Sequence, residues 1–271
     1  KRIMKQPITI ASCQFSVESD LAHNLQAILA QLDEAADRGA RIVHFSETAL
    51  SGYAGVDIPS TGSIDWNQLR AATEQVCQRA AEHNVWVLLG STHQLADGVK
   101  PHNSVYVIND QGRIVERYDK RFCTGTLDPE PNLDLEHYSP GNHSTVFDVD
   151  GYRCGLLICY DYRFPELYRD LARQGAEILT IPSAFTTHTG EAHWEVLLRA
   201  RAIENLSWVV APAQTGEHPG RSTWGHSVII SPWGEVVAEK VTDTGPIVAE
   251  ADLTELRDLR KRFPSLEHRR L

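Results

Sequence analysis

The stretch that decides the fold runs from residue 152 to residue 182 and reads YRCGLLICYDYRFPELYRDLARQGAEILTIP. Its apolar run at 152–159 predicts a strand, and 165–174 has the spacing of a helix that begins at a proline. A second apolar run at 177–182 predicts another strand. Strand, helix and strand in succession are typical of an α/β protein.

The same alternation extends in both directions along the chain, with hairpin turns at 110–112, 150–151 and 232–234. Further strands are predicted at 8–15, 41–45, 85–90, 104–109, 113–118, 145–149, 208–213, 227–231, 235–239 and 247–251. Further helices are predicted at 24–38, 66–84, 193–205 and from about residue 254. This order predicts a mixed sheet, or two sheets packed together and covered by helices. No linker or repeat divides the sequence, so we expect one domain over residues 1–271.

Composition narrows the class of protein. The chain has 271 residues and a formal net charge of −10, which argues against a nucleic-acid-binding protein. No apolar run approaches the roughly 20 residues that cross a bilayer, and no signal-peptide core follows the basic start. The five cysteines include no CxxC pair, so neither a disulfide framework nor a zinc site is indicated. We therefore expect a cytoplasmic protein.

Cys159 is the first candidate for chemistry, because it ends a predicted strand just before a turn. A thiol at such a junction is held rigidly, and backbone N–H groups of the turn can point at a developing oxyanion. The position alone fits a buried structural cysteine equally well. Cys154 is predicted on the opposite face of the same strand, and Cys13 and Cys77 are also expected in the core.

Two charged residues also follow predicted strands. Glu47 ends the run RIVHFSE, where a poorly solvated carboxylate suits a general base, although a turn or capping role is the alternative. Lys120 follows the strand at 113–118 and could stabilise an oxyanion, although a lone lysine is usually just solvated. Cys123 is a rival nucleophile in a less regular loop.

Motifs for other chemistries are missing from the sequence. It has no HExxH and no clustered ligand pattern among its 12 histidines, so no metal is expected. It has no GxSxG, GxGxxG or GxxxxGK[ST], so neither a serine triad nor a nucleotide cofactor is indicated. We expect an enzyme without a cofactor.

Together, three motifs resemble the nitrilase superfamily of carbon–nitrogen hydrolases across essentially the whole chain. They are the nucleophile segment CYDYRFPEL from Cys159, the general-base segment SETALSGY around Glu47, and the lysine segment YDKR around Lys120. The resemblance implies a four-layer αββα sandwich. It also implies a second glutamate near the lysine, for which Glu136 before Pro140–Gly141 matches best and Glu130 is the alternative.

The resemblance implies a mechanism in which Glu47 takes the thiol proton of Cys159 and the thiolate attacks a carbonyl carbon. Lys120 and the backbone N–H of Tyr160 would stabilise the oxyanion, and Glu136 would position the lysine or the substrate nitrogen. The segments PSAF at 182–185 and GHS at 225–227 most resemble the amidase branch that contains deaminated glutathione amidase and omega-amidase.

That branch implies a small amide substrate that bears a carboxylate. Arg163 is our candidate cation for the carboxylate, with an ion pair to Glu166 or Asp161 as the alternative, and Tyr53 and Phe185 are candidate pocket residues. N-carbamoyl hydrolysis and nitrile hydrolysis are the competing reactions, and a catalytically silent binding partner is the non-enzymatic alternative. The family also implies a homodimer or a higher homo-oligomer.

Overall fold

Two six-stranded sheets form the centre of the computed structural model, which describes residues 7–125, 134–218 and 220–270. The strands of the first sheet are β1 (Ile8–Gln14), β2 (Ile42–His44), β3 (Trp86–His93), β4 (His102–Ile108), β5 (Ile114–Asp119) and β14 (Gly245–Ala251). The strands of the second are β6 (Thr145–Val149), β7 (Tyr152–Leu156), β8 (Ile178–Thr180), β9 (Trp208–Ala211), β12 (Ser227–Ile230) and β13 (Val236–Lys240). A separate hairpin is formed by β10 (Thr215–His218) and β11 (Arg221–Trp224). The helices are α1 (Leu21–Asp37), α2 (Trp66–His83), α3 (Asp134–His137), α4 (Pro165–Arg173), α5 (Thr187–Asn205) and α6 (Leu253–Arg262).

The first sheet has the order β14-β1-β2-β3-β4-β5, with β1, β2 and β3 parallel. Its outer face is covered by α1 and α2, whose apolar residues recur at helical spacing. In α2 these are Leu69, Ala72, Val76 and Ala80. Asp20 caps α1 and Asp65 caps α2, each accepting from backbone N–H groups of the first turn.

The second sheet repeats this plan with the order β13-β12-β9-β8-β7-β6, in which β7, β8 and β9 are parallel. Helices α4 and α5 pack on its outer face through a core that includes Leu171, Trp194 and Leu198. The inner faces of the two sheets meet in a core that contains Ile10 and Leu88 from one sheet and Cys154 and Val210 from the other. The predicted αββα sandwich is confirmed.

Two predicted elements differ clearly in their bounds, and one hairpin was missed. Strand β7 ends at Leu156 rather than at residue 159, because the chain turns sharply and Cys159 has a φ of 45°. Helix α5 begins at Thr187 rather than at residue 193. It includes Gly190 because Trp224 packs there, and a Cβ at that position would overlap the indole. The β10–β11 hairpin was not predicted.

The polar residues of the candidate site lie beyond the carboxyl ends of strands, at one edge of the sandwich. Glu47 lies shortly after β2, Lys120 directly after β5, and Cys159 three residues after β7. This is the edge at which ligands bind in open α/β sheets. The fold therefore brings together residues that lie more than a hundred positions apart in the sequence.

Candidate active site

Glu47 lies in a buried turn after β2, and backbone contacts from two directions hold this turn. Strand β3 passes close beneath it at Gly90, where a Cβ would overlap the carbonyl oxygen of Ser46. The Gly90 carbonyl accepts the N–H of Leu50 at 3.1 Å. Gln214, in the connection between β9 and β10, donates its side-chain amide to the Glu47 carbonyl oxygen at 2.9 Å. The turn is thus fixed both by the first sheet and by the segment that follows β9.

The two carboxylate oxygens of Glu47 have different surroundings. Oε1 accepts from Lys120 Nζ at 2.8 Å and from Asn103 Nδ2 at 2.8 Å. Oε2 is buried and has no hydrogen-bond partner among the residues that the structure describes. The backbone carbonyl oxygen of Asn103 also accepts the backbone N–H of Lys120 at 2.8 Å. Asn103 therefore aligns both charged residues. One carboxylate oxygen is therefore fixed and the other is left as a free acceptor.

Lys120 is fully buried between two carboxylates. Its ammonium lies 2.8 Å from Glu47 Oε1 and 2.7 Å from Asp134 Oδ2. Burial alone lowers the pKa of this lysine, but Asp134 and Glu47 raise it well above its usual value. Burial also opposes ionisation of Asp134, yet Lys120 lowers the pKa of that carboxyl below its ordinary range. The two carboxylates therefore favour the charged form of Lys120 despite its burial.

The second acidic residue beside Lys120 is Asp134, so the prediction for Glu136 is wrong. The Glu136 side chain is exposed on α3, two residues beyond Asp134, and α3 turns it away from the buried lysine. Asp134 also accepts from the Tyr53 hydroxyl and from the N–H of Thr124, the latter at 2.9 Å. Glu130, the alternative, lies outside the described residues.

Cys159 begins a 3₁₀ turn over Cys159–Arg163 and adopts a left-handed backbone conformation. Such a conformation is costly for a non-glycine residue and persists only where its surroundings enforce it. Here the N–H of Cys159 donates to the Pro182 carbonyl at 2.9 Å. Burial and the Glu47 carboxylate raise the pKa of the Cys159 thiol, while Lys120 and the N–H of Ala184 act in the opposite direction. The resting sulfur is therefore a thiol beside a carboxylate.

Asp161, which sequence reasoning considered only as an ion-pair partner for Arg163, ties the cysteine turn to the lysine segment. Its carboxylate accepts from the Tyr118 hydroxyl at 2.7 Å, from the N–H of Phe122 at 2.8 Å and from the N–H of Ile158 at 3.0 Å. Burial raises the pKa of Asp161 to about 6, although these three donors lower it. Asp161 is thus a positioning residue between the two segments.

The predicted substrate-binding residues are distributed unevenly. The ring of Tyr53 is buried beside Lys120, with 5.7 Å from Nζ to the ring centroid. Phe185 is buried against Tyr162 and Trp194, and Tyr160 is half-buried at the cysteine turn. These placements leave their predicted roles in substrate binding as predictions.

Arg163 forms no ion pair with Glu166, Asp161 or any other described acidic residue. Its guanidinium carbon lies 5.2 Å from the Tyr162 ring centroid and 5.6 Å from that of Phe185, and its nitrogens lie 3.4 Å from His193 Nδ1. The ion-pair alternative is therefore wrong. Its contact with a substrate carboxylate stays a prediction.

Within residues 7–125, 134–218 and 220–270, no group of three or more histidine, cysteine, aspartate or glutamate side chains could hold a metal ion. In the same part of the chain, no helix has the length and apolar character needed to cross a membrane.

Comparison with known proteins assigns the class that this geometry suggests. Residues 9–261 match the model of the carbon–nitrogen hydrolase family, and the chain belongs to that family. It is therefore a hydrolase that acts on carbon–nitrogen bonds other than peptide bonds, as the sequence predicted.

Particular relatives narrow the likeness further. The deaminated glutathione amidase of Synechocystis sp. is 38% identical over 97% of this chain and 98% of its own length. The crystal structure of the Caenorhabditis elegans NitFhit protein matches with a TM-score of 0.88 and 35% identity, over 99% of this chain and 66% of that longer chain. Saccharomyces cerevisiae Nit3, a member of branch 10 of the nitrilase superfamily, matches with a TM-score of 0.84 and 28% identity over 100% and 99% of the two chains.

Proposed function

We propose that the protein is a thiol amidase that hydrolyses small, carboxylate-bearing amides through a thioester on Cys159. The observation that carries the proposal is the asymmetry of Glu47. Its Oε1 is held by Lys120 and Asn103, while its buried Oε2 is free to accept a proton. The charge of this carboxylate raises the pKa of the Cys159 thiol, so the two groups are close enough to interact. A free acceptor beside a buried thiol is the arrangement that general-base activation needs.

The reaction proceeds in two halves. Glu47 takes the thiol proton as the Cys159 sulfur bonds to the amide carbonyl carbon, and the carbonyl oxygen becomes an oxyanion. Lys120 and the backbone N–H of Tyr160 stabilise this oxyanion, and each such donor typically contributes about 100-fold or more in rate. The carbon–nitrogen bond then breaks as Glu47 gives its proton to the departing nitrogen. A thioester remains.

Water completes the cycle. Glu47 takes a proton from the attacking water, whose oxygen bonds to the thioester carbon. Collapse of the second tetrahedral intermediate breaks the carbon–sulfur bond, and the proton on Glu47 returns to the sulfur. The products are a carboxylic acid and an amine or ammonia. Asp134 acts through Lys120 by holding its charge and position.

The substrate class rests on the similarity to relatives named deaminated glutathione amidase. Deaminated glutathione is an amide with a carboxylate at each end, and a 2-oxo-acid amide has one carboxylate. We therefore propose substrates of this chemical class. Ammonia or amine release from a panel of such amides, N-carbamoyl compounds and nitriles tests the choice, since carbon dioxide accompanies only N-carbamoyl hydrolysis.

The decisive experiment is intact-mass analysis during turnover. Wild-type protein quenched during turnover should gain the mass of the acyl group, while Cys159→Ala should gain nothing and lose activity. Glu47→Gln should also lose activity, because it lacks the base for both half-reactions. Cys123→Ala is the matched control. Burial raises the pKa of the Cys123 thiol to about 12, and its sulfur lies 3.8 Å from the Lys120 carbonyl. Full activity in Cys159→Ala, or an adduct that disappears in Cys123→Ala, would contradict the proposal.

We further propose a homodimer that forms through α5. Val196 and Ile203 lie seven residues apart on α5, and their side chains are 68% and 47% exposed. Trp233 and Phe263 pack against each other nearby, and both are at least half exposed. Light scattering should show a dimer that Val196→Asp dissociates. The control, Val99→Asp, changes an exposed valine in a loop and should leave the dimer intact.

We also propose that the protein is located in the cytoplasm. All five cysteines are free, and Cys159 needs its thiol for the proposed chemistry. A reducing compartment preserves free thiols. Fractionation of cells that express the protein tests this location.

A further inference from the structure

Arg221 is half-buried, and part of its guanidinium group has no hydrogen-bond partner among the described residues. It is the first residue of β11, and its Nε and Nη2 atoms are both buried without a hydrogen-bond partner in the described ranges. No acidic side chain of those ranges forms an ion pair with it. Its guanidinium carbon lies 5.4 Å from the centroid of the Tyr53 ring.

Burial of guanidinium N–H donors without a hydrogen-bond partner is costly. Desolvation of an ion is offset only when its hydrogen-bonding groups find partners, and the attraction to one aromatic ring replaces only part of what water supplied. The unused donors have the geometry of a planar fork, which fits the two oxygens of a carboxylate. The arrangement therefore matches a ligand with a carboxylate group.

Arg221 lies close to the candidate active site, because both contact the ring of Tyr53. The ring centroid lies 5.4 Å from the Arg221 guanidinium carbon and 5.7 Å from Lys120 Nζ, and the Tyr53 hydroxyl donates to Asp134. The unsatisfied guanidinium and the buried lysine are thus neighbours of the same aromatic side chain. A small molecule whose amide carbonyl meets Lys120 can place a carboxylate several bonds away at Arg221.

The hairpin that carries Arg221 is firmly anchored. His218, the cross-strand neighbour of Arg221, lies 2.9 Å from Asp57, and both side chains are buried. Asp57 in turn accepts the N–H of Tyr53 at 2.9 Å. At the other end of β11, the N–H of Trp224 donates to the Phe185 carbonyl at 2.8 Å. Arg221 is therefore held in place before any ligand binds.

We propose that Arg221 binds a carboxylate of the substrate and so determines the specificity of the enzyme for anionic amides. This inference rests on the proposed amidase function of Cys159. It assigns to Arg221 the role that sequence reasoning gave to Arg163, whose charge instead contacts aromatic rings and His193. The carboxylate belongs either to the acyl part of the amide or to the departing amine.

The test compares three related amides. Glutaramate has its carboxylate on the acyl part, N-pentanoylglycine has it on the departing amine, and pentanamide has none. For Arg221→Met, kcat/KM should fall about 100-fold for the amide whose carboxylate meets Arg221, because a charged hydrogen-bonded pair is lost. The loss for pentanamide should be at least tenfold smaller. Arg221→Lys, which keeps the charge without the fork, should give an intermediate loss.

Arg79→Met is the matched control, since Arg79 pairs with Asp33 at the surface of α2. It should leave all three rates unchanged. Equal losses for the three amides in Arg221→Met would mean that Arg221 only supports Tyr53, and no loss for either anionic amide would mean that it does not touch the substrate. Both results overturn the inference.

A binding measurement separates this inference from the proposed function. Calorimetry should detect binding of glutaramate or N-pentanoylglycine to Cys159→Ala, which cannot hydrolyse them, and a loss of at least tenfold in that affinity in Cys159→Ala with Arg221→Met. Wild-type protein that hydrolyses none of the amides would contradict the amidase proposal, while the calorimetric comparison would still decide whether Arg221 binds a carboxylate. Equal binding of these amides by the two proteins, or none by either, overturns the inference.

Discussion

Asp134 and Lys120 form a buried ion pair, with 2.7 Å between Oδ2 and Nζ, and this pair replaces the glutamate that the motif comparison suggested. The two acidic residues of α3 are not equivalent, because they have different surroundings. Asp134 is fully buried at its start, whereas Glu136 is exposed two residues later. The residue that holds the lysine is therefore identified by its position in space rather than by its spacing from a proline–glycine pair.

From this ion pair we expect substitution of Asp134 to reduce activity and substitution of the nearby Glu136 to leave it unchanged. Asp134→Asn removes a charge that raises the pKa of Lys120 and should lower kcat about 100-fold by weakening oxyanion stabilisation. It should also reduce the free energy of unfolding by about 3 kcal/mol, because a buried ion pair loses one partner. Glu136→Gln is the control and should retain activity and stability. Steady-state kinetics and urea denaturation measure both effects, and a larger kinetic loss in Glu136→Gln would reverse the assignment.

Asn103 gives a second prediction, since its side chain fixes the oxygen of Glu47 that is not used as the base. Asn103→Leu removes this donor and should lower kcat at least tenfold, with a smaller effect on KM, because the carboxylate loses its orientation toward Cys159. Michaelis–Menten kinetics on one amide separate the two constants. An increase in KM with kcat unchanged would instead place Asn103 in substrate binding.

From the pKa of Asp161 we expect the free energy of unfolding to depend on pH. Burial raises its pKa to about 6 in the folded protein from a reference value of 3.8. Between these two values the unfolded chain releases the proton while the folded protein retains it. The stabilising contribution is therefore full below pH 3.8 and is lost as the pH rises through 6.

This loss amounts to about 3 kcal/mol, since each pKa unit corresponds to about 1.4 kcal/mol. Urea denaturation of the wild type and of Asp161→Asn at pH 4 and pH 7 measures it as a difference of differences. The wild type should lose about that much stability relative to the variant between the two pH values. A constant difference across this range would show that Asp161 is ionised in the folded protein throughout.

Substitution of Gly90 tests how tightly the first sheet holds the turn that carries Glu47. In Gly90→Ala the new methyl group overlaps the Ser46 carbonyl, so the Glu47 turn must shift. We expect a loss of about 3 kcal/mol in the free energy of unfolding and a lower kcat. Gly62→Ala, in an exposed turn with space for a methyl group, should change neither. Denaturation and kinetics on both variants distinguish a general glycine effect from a local displacement of Glu47.

Much of the architecture could be predicted because its signals are local. Apolar runs of strand length and helical periodicity placed most strands and helices, and the rule that sites lie at carboxyl ends of strands directed attention to Glu47, Lys120 and Cys159. The geometry brings these three together. Spacing alone could not join them, since that proximity arises only when two sheets pack face to face.

The residues that sequence reasoning missed have no local signal. Asn103 lies inside β4 and resembles any polar residue of a strand. Asp134 follows a segment without periodicity, and its partners Tyr53, Lys120 and Thr124 come from other segments of the chain. Arg221 belongs to a hairpin of polar residues and glycines, TGEHPGRSTW, in which apolar alternation is absent. A pairing of aromatic and charged side chains across the fold is visible only in three dimensions.

The trio of Glu47, Lys120 and Asp134 also has a consequence for the end of the reaction. Two carboxylates surround one ammonium, so the trio carries a net negative charge when all three are ionised. A neutral amide can approach it, but hydrolysis creates a new carboxylate at the reacting carbon, and like charges in a poorly solvated site repel each other. We therefore expect the acid product to bind beside this trio more weakly than the amide does, which favours product departure and opposes resynthesis of the amide.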